Sequence, residues 1–456
     1  MSVATRPAPG PSRPYHFPRF ERETIDGGLQ VIVAPVHKLP VVTVMLVSGA
    51  GSSAEPAGQD GVANLTARAL LEGTARRDGN ELTERFERLG GALTANADWD
   101  AATVSTTVLA PRLREAVALL GEVVLEPAFP TREVERLRAE RLADILQLRA
   151  EPRGLADEMF ARFVYDAASR YARPEDGGAE SVAALGRAEV EAFHRARYRP
   201  DGSTLLFVGD VTTADALAIA RDVFGGWRGT APAAPIPDAT PARTSRAVHI
   251  VRKEDAPQSE LRLGHPGLPR SHPDYFKVLV MNSVLGGLFS SRINLNLREQ
   301  HAYTYGAFSG FEWRRGAGPF VVSTAVRSDV TADAAREVLV EIDRLRADAI
   351  AEDELTLATS YLDGVFPIKY ETTEAIARAL AAMVVYALPG DYFDHYREQI
   401  RAVTTMDVLH AASRYLHPDL LQLVVVGDPD AVREPLEALS FGTVHVYDAE
   451  GRPIDE

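Results

Sequence analysis

PDGSTLLFVGD, residues 200–210, returns as PDLLQLVVVGD at 418–428. Pro-Asp, an apolar run and Val-Gly-Asp keep their places, and every matched position moves by 218 residues. The same shift applies far upstream, where Val104-Ser105-Thr106-x-Val108 reappears as Val322-Ser323-Thr324-x-Val326. Two separate matches at one offset identify a duplicated domain. Tyr198 and Tyr415 stand just before the paired Pro-Asp steps, each closing a helical stretch. Between the copies, GTAPAAPIPDATPAR (229–243) carries four prolines and reads as an extended linker. The expected organisation is a disordered or extended tail over 1–18, a first domain over 19–228, the linker 229–243, a second domain over 244–449 and a tail over 450–456.

Within each copy the hydrophobic period switches between that of strands and that of helices. Leu29 to Val33, Val41 to Val47, Leu205 to Val208 and Leu421 to Val426 are short, largely β-branched runs expected as strands. Asn80 is expected to cap a helix carrying Leu82, Phe86 and Leu89, which Gly90-Gly91 stops. Thr131 is expected to cap a long helix that ends at Pro152. The fold class is therefore α+β, two homologous domains in tandem, each a mostly antiparallel sheet with helices against one face.

Composition narrows the function classes. A formal charge of −15 over 456 residues disfavours nucleic acid and anionic membrane surfaces as partners. Zero cysteines exclude disulfides, thiolate zinc sites and thiol nucleophiles. Residues 1–18 lack the apolar centre of a signal peptide, so the expected location is cytoplasmic. Glycine-rich stretches such as Gly49-Ala50-Gly51 and 306–310 lack the Lys-Ser/Thr of a phosphate-binding loop and read as turns.

The block GVANLTARALLEGT (61–74), followed by Leu89-Gly90-Gly91-Ala92-Leu93, resembles the first domain of the pitrilysin/insulinase zinc peptidases. Active members carry His-x-x-Glu-His on this helix, where the two His hold zinc and the Glu serves as general base. Here the three positions read Asn64, Ala67 and Arg68. Alanine accepts no proton, asparagine is a feeble ligand, and a guanidinium carries positive charge to the metal's place. The family's third ligand falls near Asp144. None of the eleven His stands four residues from another. The resemblance thus implies a degenerate zinc site, with no cofactor in this chain.

The second copy keeps more of the family pattern. Leu285-Gly286-Gly287-Leu288-Phe289-Ser290-Ser291-Arg292, Leu297-Arg298-Glu299-Gln300 and Tyr305 are similar to the family's downstream signature. The resemblance gives Tyr305 the role of hydrogen-bond donor to the oxyanion of a tetrahedral intermediate, and Arg298 that of holding a substrate carbonyl. It implies a subunit of a heterodimeric peptidase acting on unfolded peptides, with zinc supplied by a homologous partner. Extended peptide would add to a sheet edge, for which residues 92–97 are a candidate in this chain. The alternative is a non-proteolytic structural or peptide-binding relative, like the core subunits of a respiratory complex.

Overall fold

The computed structural model describes residues 14–454. Six strands from the first half form one sheet: β1 (Glu21–Thr24), β2 (Gln30–Pro35), β3 (Val41–Ser48), β4 (Leu93–Ala97), β5 (Ala102–Leu109) and β6 (Ser203–Gly209). Six from the second half form another: β7 (Ala247–Arg252), β8 (Gln258–Pro266), β9 (Ala307–Phe311), β10 (Pro319–Arg327), β11 (Gln422–Gly427) and β12 (Thr443–Tyr447). The strand orders are β1-β2-β6-β3-β5-β4 and β12-β7-β11-β8-β10-β9. Apart from the outermost strands β1 and β12, the second order repeats the first position by position.

The duplication extends to register. Leu46 on β3 lies opposite Leu205 on one side and Val104 on the other. Leu263 on β8 lies opposite Leu423 and Val322, and both neighbours are moved by 218 residues. The β2/β6 and β7/β11 pairs are parallel, as is β7/β12, and the remaining pairs are antiparallel. The repeated glycine has a local cause in each copy. Gly209 sits at φ +139, where a Cβ would fall 2.1 Å from Val41 O, and a Cβ on Gly427 would meet Ser259 Oγ at 2.9 Å.

The expectation of helices against one face is corrected, because both faces of both sheets are covered. Leu205-Leu206-Phe207-Val208 is buried residue by residue, the mark of a strand packed on two sides. On one face of the first sheet Val31, Val33, Val44, Leu46, Leu205 and Phe207 pack with helices of their own half, through Val62, Leu65, Leu120 and Phe224. The alternate residues Ile32, Ala34, Met45, Val47, Leu206 and Val208 face the other way. Their cover is the helix Thr373–Val385 from the second half, through Ile376, Ala377 and Leu380. The helix Pro152–Val164 of the first half returns the favour. Its Leu155, Met159, Phe160 and Phe163 pack on Val251, Val424 and Val426 of the second sheet.

The caps also differ from expectation, and the ends of the described chain make contacts of their own. The Tyr15 hydroxyl donates to Tyr370 O at 2.8 Å, and Phe17 stacks on Phe393 at 4.2 Å, so these two side chains are packed against the second half while Pro14 and His16 are exposed. Residues 450–454 fold back, with Ile454 N donating to Val446 O. The rest of the two expected tails, 1–13 and 455–456, lies outside the described residues. The first-half helix Gly79–Arg88 is capped by Asp78 rather than Asn80, with Asp78 and Glu81 forming a reciprocal capping box. The long helix is Thr131–Ala150, preceded by Pro130, and Pro152 opens the next helix, where its missing N–H costs nothing.

Candidate functional site

The helix Val62–Ala69 begins at Gly61, whose φ of +98 turns the chain sharply into it. Its first amides are satisfied by a side chain from outside: Gly61 N and Ala63 N donate to Glu55 Oε1 at 2.9 and 3.0 Å. The other Glu55 oxygen accepts from Arg170 at 2.8 Å. The helix is thereby locked at its start, and Ala67 is fully buried while Asn64 and Arg68 are half-buried one turn apart.

Arg68 is engaged. Its Nη2 donates to Glu140 Oε2 at 2.9 Å, and Glu140 Oε1 accepts from Arg136 at 2.5 Å. Arg136 also pairs with Glu133 and Glu72, both at 2.7 Å. The carboxylate that meets Arg68 from the long helix is thus Glu140, not Asp144. Asp144 is exposed one turn further on, and among the described residues its side chain has no partner. This donor set does not fit a zinc ion: an amide and a methyl group stand beside a guanidinium, and the nearest carboxylate is shared between two guanidinium groups. Sequence reasoning missed Glu140 and Glu55. The spacing of Glu133, Arg136 and Glu140 was the available signal, since i, i+3 and i, i+4 neighbours share a helix face.

The second half is built differently. Buried Val278, Val280, Met281 and Leu285 carry the chain from the helix Tyr275–Asn282 into a wide π-helical turn, Ser283–Gly287. Gly286 passes so close to β9 that a Cβ would lie 2.4 Å from Ser309 Oγ. A second π-helical turn, Leu295–Gln300, holds Arg298. Such turns widen the helix at the cost of regular bonding and concentrate at functional sites. The Arg298 guanidinium lies over the Phe289 ring at 4.5 Å. Its Nη1 stands 3.6 Å from Glu299 Oε1 and has no hydrogen-bond partner although it is buried.

Tyr305 is 93% exposed, and among the described residues its hydroxyl bonds to nothing. The chain that carries it is tied at every step. Tyr303 N donates to Leu297 O, Gly306 N to Thr304 Oγ1, and Ala307 N to Asn294 Oδ1. Thr324 on β10 donates to Thr304 Oγ1 and to Gly306 O, both at 3.1 Å. Phe289 (63% exposed) and Phe308 (51%) belong to the same segment. The structure brings Arg298 and Tyr305 onto one tied segment at the edge of the second sheet. No hydrogen bond, ion pair or ring contact joins either to Asn64, Ala67, Arg68 or Asp144 among the described residues. Of the four edge strands β1, β4, β9 and β12, β9 is the one that follows Tyr305 directly in the chain, and β4 is its counterpart in the first sheet.

Residues 31–172 match the family model described as insulinase (peptidase family M16), and residues 184–362 match that of the peptidase M16 inactive domain. The chain belongs to peptidase family M16. Among M16 relatives, an uncharacterized zinc protease of Mycobacterium tuberculosis is 26% identical, over 87% of this chain and 90% of its own length. A probable mitochondrial-processing peptidase subunit beta of Schizosaccharomyces pombe is 25% identical over 59% of each. The crystal structure of a peptidase M16 inactive domain from Pseudomonas fluorescens is 28% identical, with a TM-score of 0.84 over 90% of this chain and 98% of that one. A protease from Helicobacter pylori shares the fold, with a TM-score of 0.83 at 20% identity over 90% of this chain and all of that one.

Proposed function

We propose that this chain is the non-metal-binding subunit of a two-subunit zinc peptidase of family M16. In this reading it presents Arg298 and Tyr305 to unfolded peptide held at the zinc centre of a homologous partner. The observation that carries it is Tyr305: a solvated ring with an unbonded hydroxyl, on a loop tied on both sides. A tyrosine that served packing would bury its ring, as Tyr165, Tyr171 and Tyr198 do here. Presenting a donor rigidly and without a partner is what stabilising a developing oxyanion requires, because the group needs no reorganisation when charge appears.

The first half supports the same division of labour. Asn64, Ala67 and Arg68 occupy the positions that resemblance assigns to the zinc ligands and the general base, and Arg68 is spent on Glu140. The likeness to a protein described as an inactive domain fits a chain without its own metal chemistry. Zinc in the partner would activate water and polarise the scissile carbonyl. This chain would orient the peptide through Arg298 and donate a hydrogen bond from the Tyr305 hydroxyl to the oxyanion.

Steady-state cleavage of a quenched peptide by the reconstituted pair tests this. Tyr305→Phe removes one exposed hydroxyl, so assembly should be unchanged while kcat falls by about 10² to 10³. Arg298→Ala should act chiefly on KM, because it holds the carbonyl in the ground and transition states alike. Full kcat in a normally assembled Tyr305→Phe complex would make the chain a scaffold and peptide-binding subunit instead.

A further inference from the structure

Arg298 and Tyr305 sit on different pieces of chain, a helical turn and the loop after it, and among the described residues no hydrogen bond or ring contact joins their side chains. A pair of donors acting on one substrate must nevertheless keep a fixed separation, since small misplacements cost large factors in rate. Between the two pieces lies Asn294, which is fully buried. Its Nδ2 donates to Phe289 O at 2.5 Å, and its Oδ1 accepts from Ala307 N at 3.0 Å. Phe289 is the residue whose ring lies under Arg298, and Ala307 is two residues beyond Tyr305. One amide therefore joins the support of the guanidinium to the loop of the tyrosine.

The surroundings give Asn294 no other task. Its neighbours Ile293 and Leu297 are fully buried apolar side chains, and its two polar atoms are both consumed by these backbone bonds. Burying an amide carries a desolvation cost that an apolar side chain of equal size avoids. What the amide adds is its geometry. Thr304 makes a parallel tie on the other side of Tyr305, through Gly306 O at 2.9 Å and Thr324 Oγ1 at 3.1 Å.

We propose that Asn294 is a positioning residue that fixes Tyr305 relative to Arg298, so that the two donors meet the partner's substrate as one preset pair. The proposal rests on the role given above to those two residues. Asn294→Leu keeps the branched shape and the number of heavy atoms, with somewhat bulkier methyl groups, and deletes both bonds. In the reconstituted pair it should lower kcat about tenfold or more, with KM and assembly close to wild type. In the isolated chain, amide exchange at Ala307 should quicken without a matching change elsewhere in the sheet.

The double variant Asn294→Leu/Tyr305→Phe separates positioning from general damage. Because Asn294 acts through Tyr305, the double variant should lose much less than the product of the two single losses. Fully multiplicative losses would overturn the proposal, as would normal kcat in folded Asn294→Leu. Tyr305→Phe is the control: if it too keeps full kcat, the proposed function fails, whereas a defect in Tyr305→Phe alone removes only the positioning role. Should Asn294→Leu not fold, Asn294→Asp decides. It keeps the acceptor for Ala307 N but removes the amide donor to Phe289 O, and unchanged kcat in that folded variant would overturn the proposal.

Discussion

The two halves share a strand order and a register, yet the first holds its inner helix, Val62–Ala69, with ion pairs and the second leaves the Tyr305 hydroxyl in solvent. In the first half Arg68, Glu140, Arg136, Glu133 and Glu72 consume one another's charge. In the second, Arg298 Nη1 has an ion-pair contact with Glu299 but no hydrogen bond, and the exposed Tyr305 hydroxyl is unbonded among the described residues. The same backbone frame thus carries one site whose arginine is held in an ion-pair network and one whose tyrosine hydroxyl faces solvent. Where a duplicated fold differs in this way, the open copy is the place to look for function.

The halves are also interdependent, and this gives the largest expected effect. Leu155 belongs to the first half but lies in the core of the second sheet, and Leu380 of the second half lies against the first. Leu155→Ala and Leu380→Ala should each cost about 2 to 5 kcal/mol, as for other buried leucines. Each should lower one shared unfolding transition, read by calorimetry. Two separate transitions, with each variant moving only one, would break the picture of exchanged helices.

A smaller effect concerns the seam between the halves. Burial, with Asp176 and Asp98 close by, pushes the Glu175 carboxyl up to about 8, although Arg314 of the second half opposes this. The folded chain then holds a proton that the unfolded chain releases near the ordinary carboxylate range. Stability should therefore fall as pH rises through that window toward about 8. Glu175→Gln should flatten this slope in melting temperatures measured from pH 5 to 9, an interval spanning most of the titration. An unchanged slope would place the titrating group elsewhere.

The smallest effect sharpens the contrast at the inner helix. Arg68 and Glu140 are both partly exposed, so Arg68→Ala should change stability by about 0 to 1 kcal/mol. Neither wild type nor this variant should retain stoichiometric zinc by elemental analysis, because Asn64 and Ala67 still supply no adequate ligand. One tightly held zinc per chain would erase the distinction between the halves.

Repetition is the property most legible in a single sequence, because duplicated strands keep their glycines and apolar runs for local reasons. Val208-Gly209 and Val426-Gly427 occupy equivalent strands, as do Val104 and Val322. The run Leu205 to Val208 already held the sign of a strand buried on both faces, but nothing in it says which helix covers the second face. Cap positions shifted by a residue or two, since Asp78 could complete a capping box and Asn80 could not.

By itself the sequence determined the duplication, the absence of cysteine chemistry, the family, and the residue types at positions 64, 67 and 68, since these depend on identity and spacing along the chain. Tertiary structure alone decided the exchange of the helices Pro152–Val164 and Thr373–Val385, the pairing of Arg68 with Glu140, and the solvation of Tyr305. It also revealed Asn294 as the joint between Phe289 and Ala307. These are relations between groups far apart in sequence or facing different ways, and an apolar helix face or a polar side chain carries no record of which surface will satisfy it until the packing is complete.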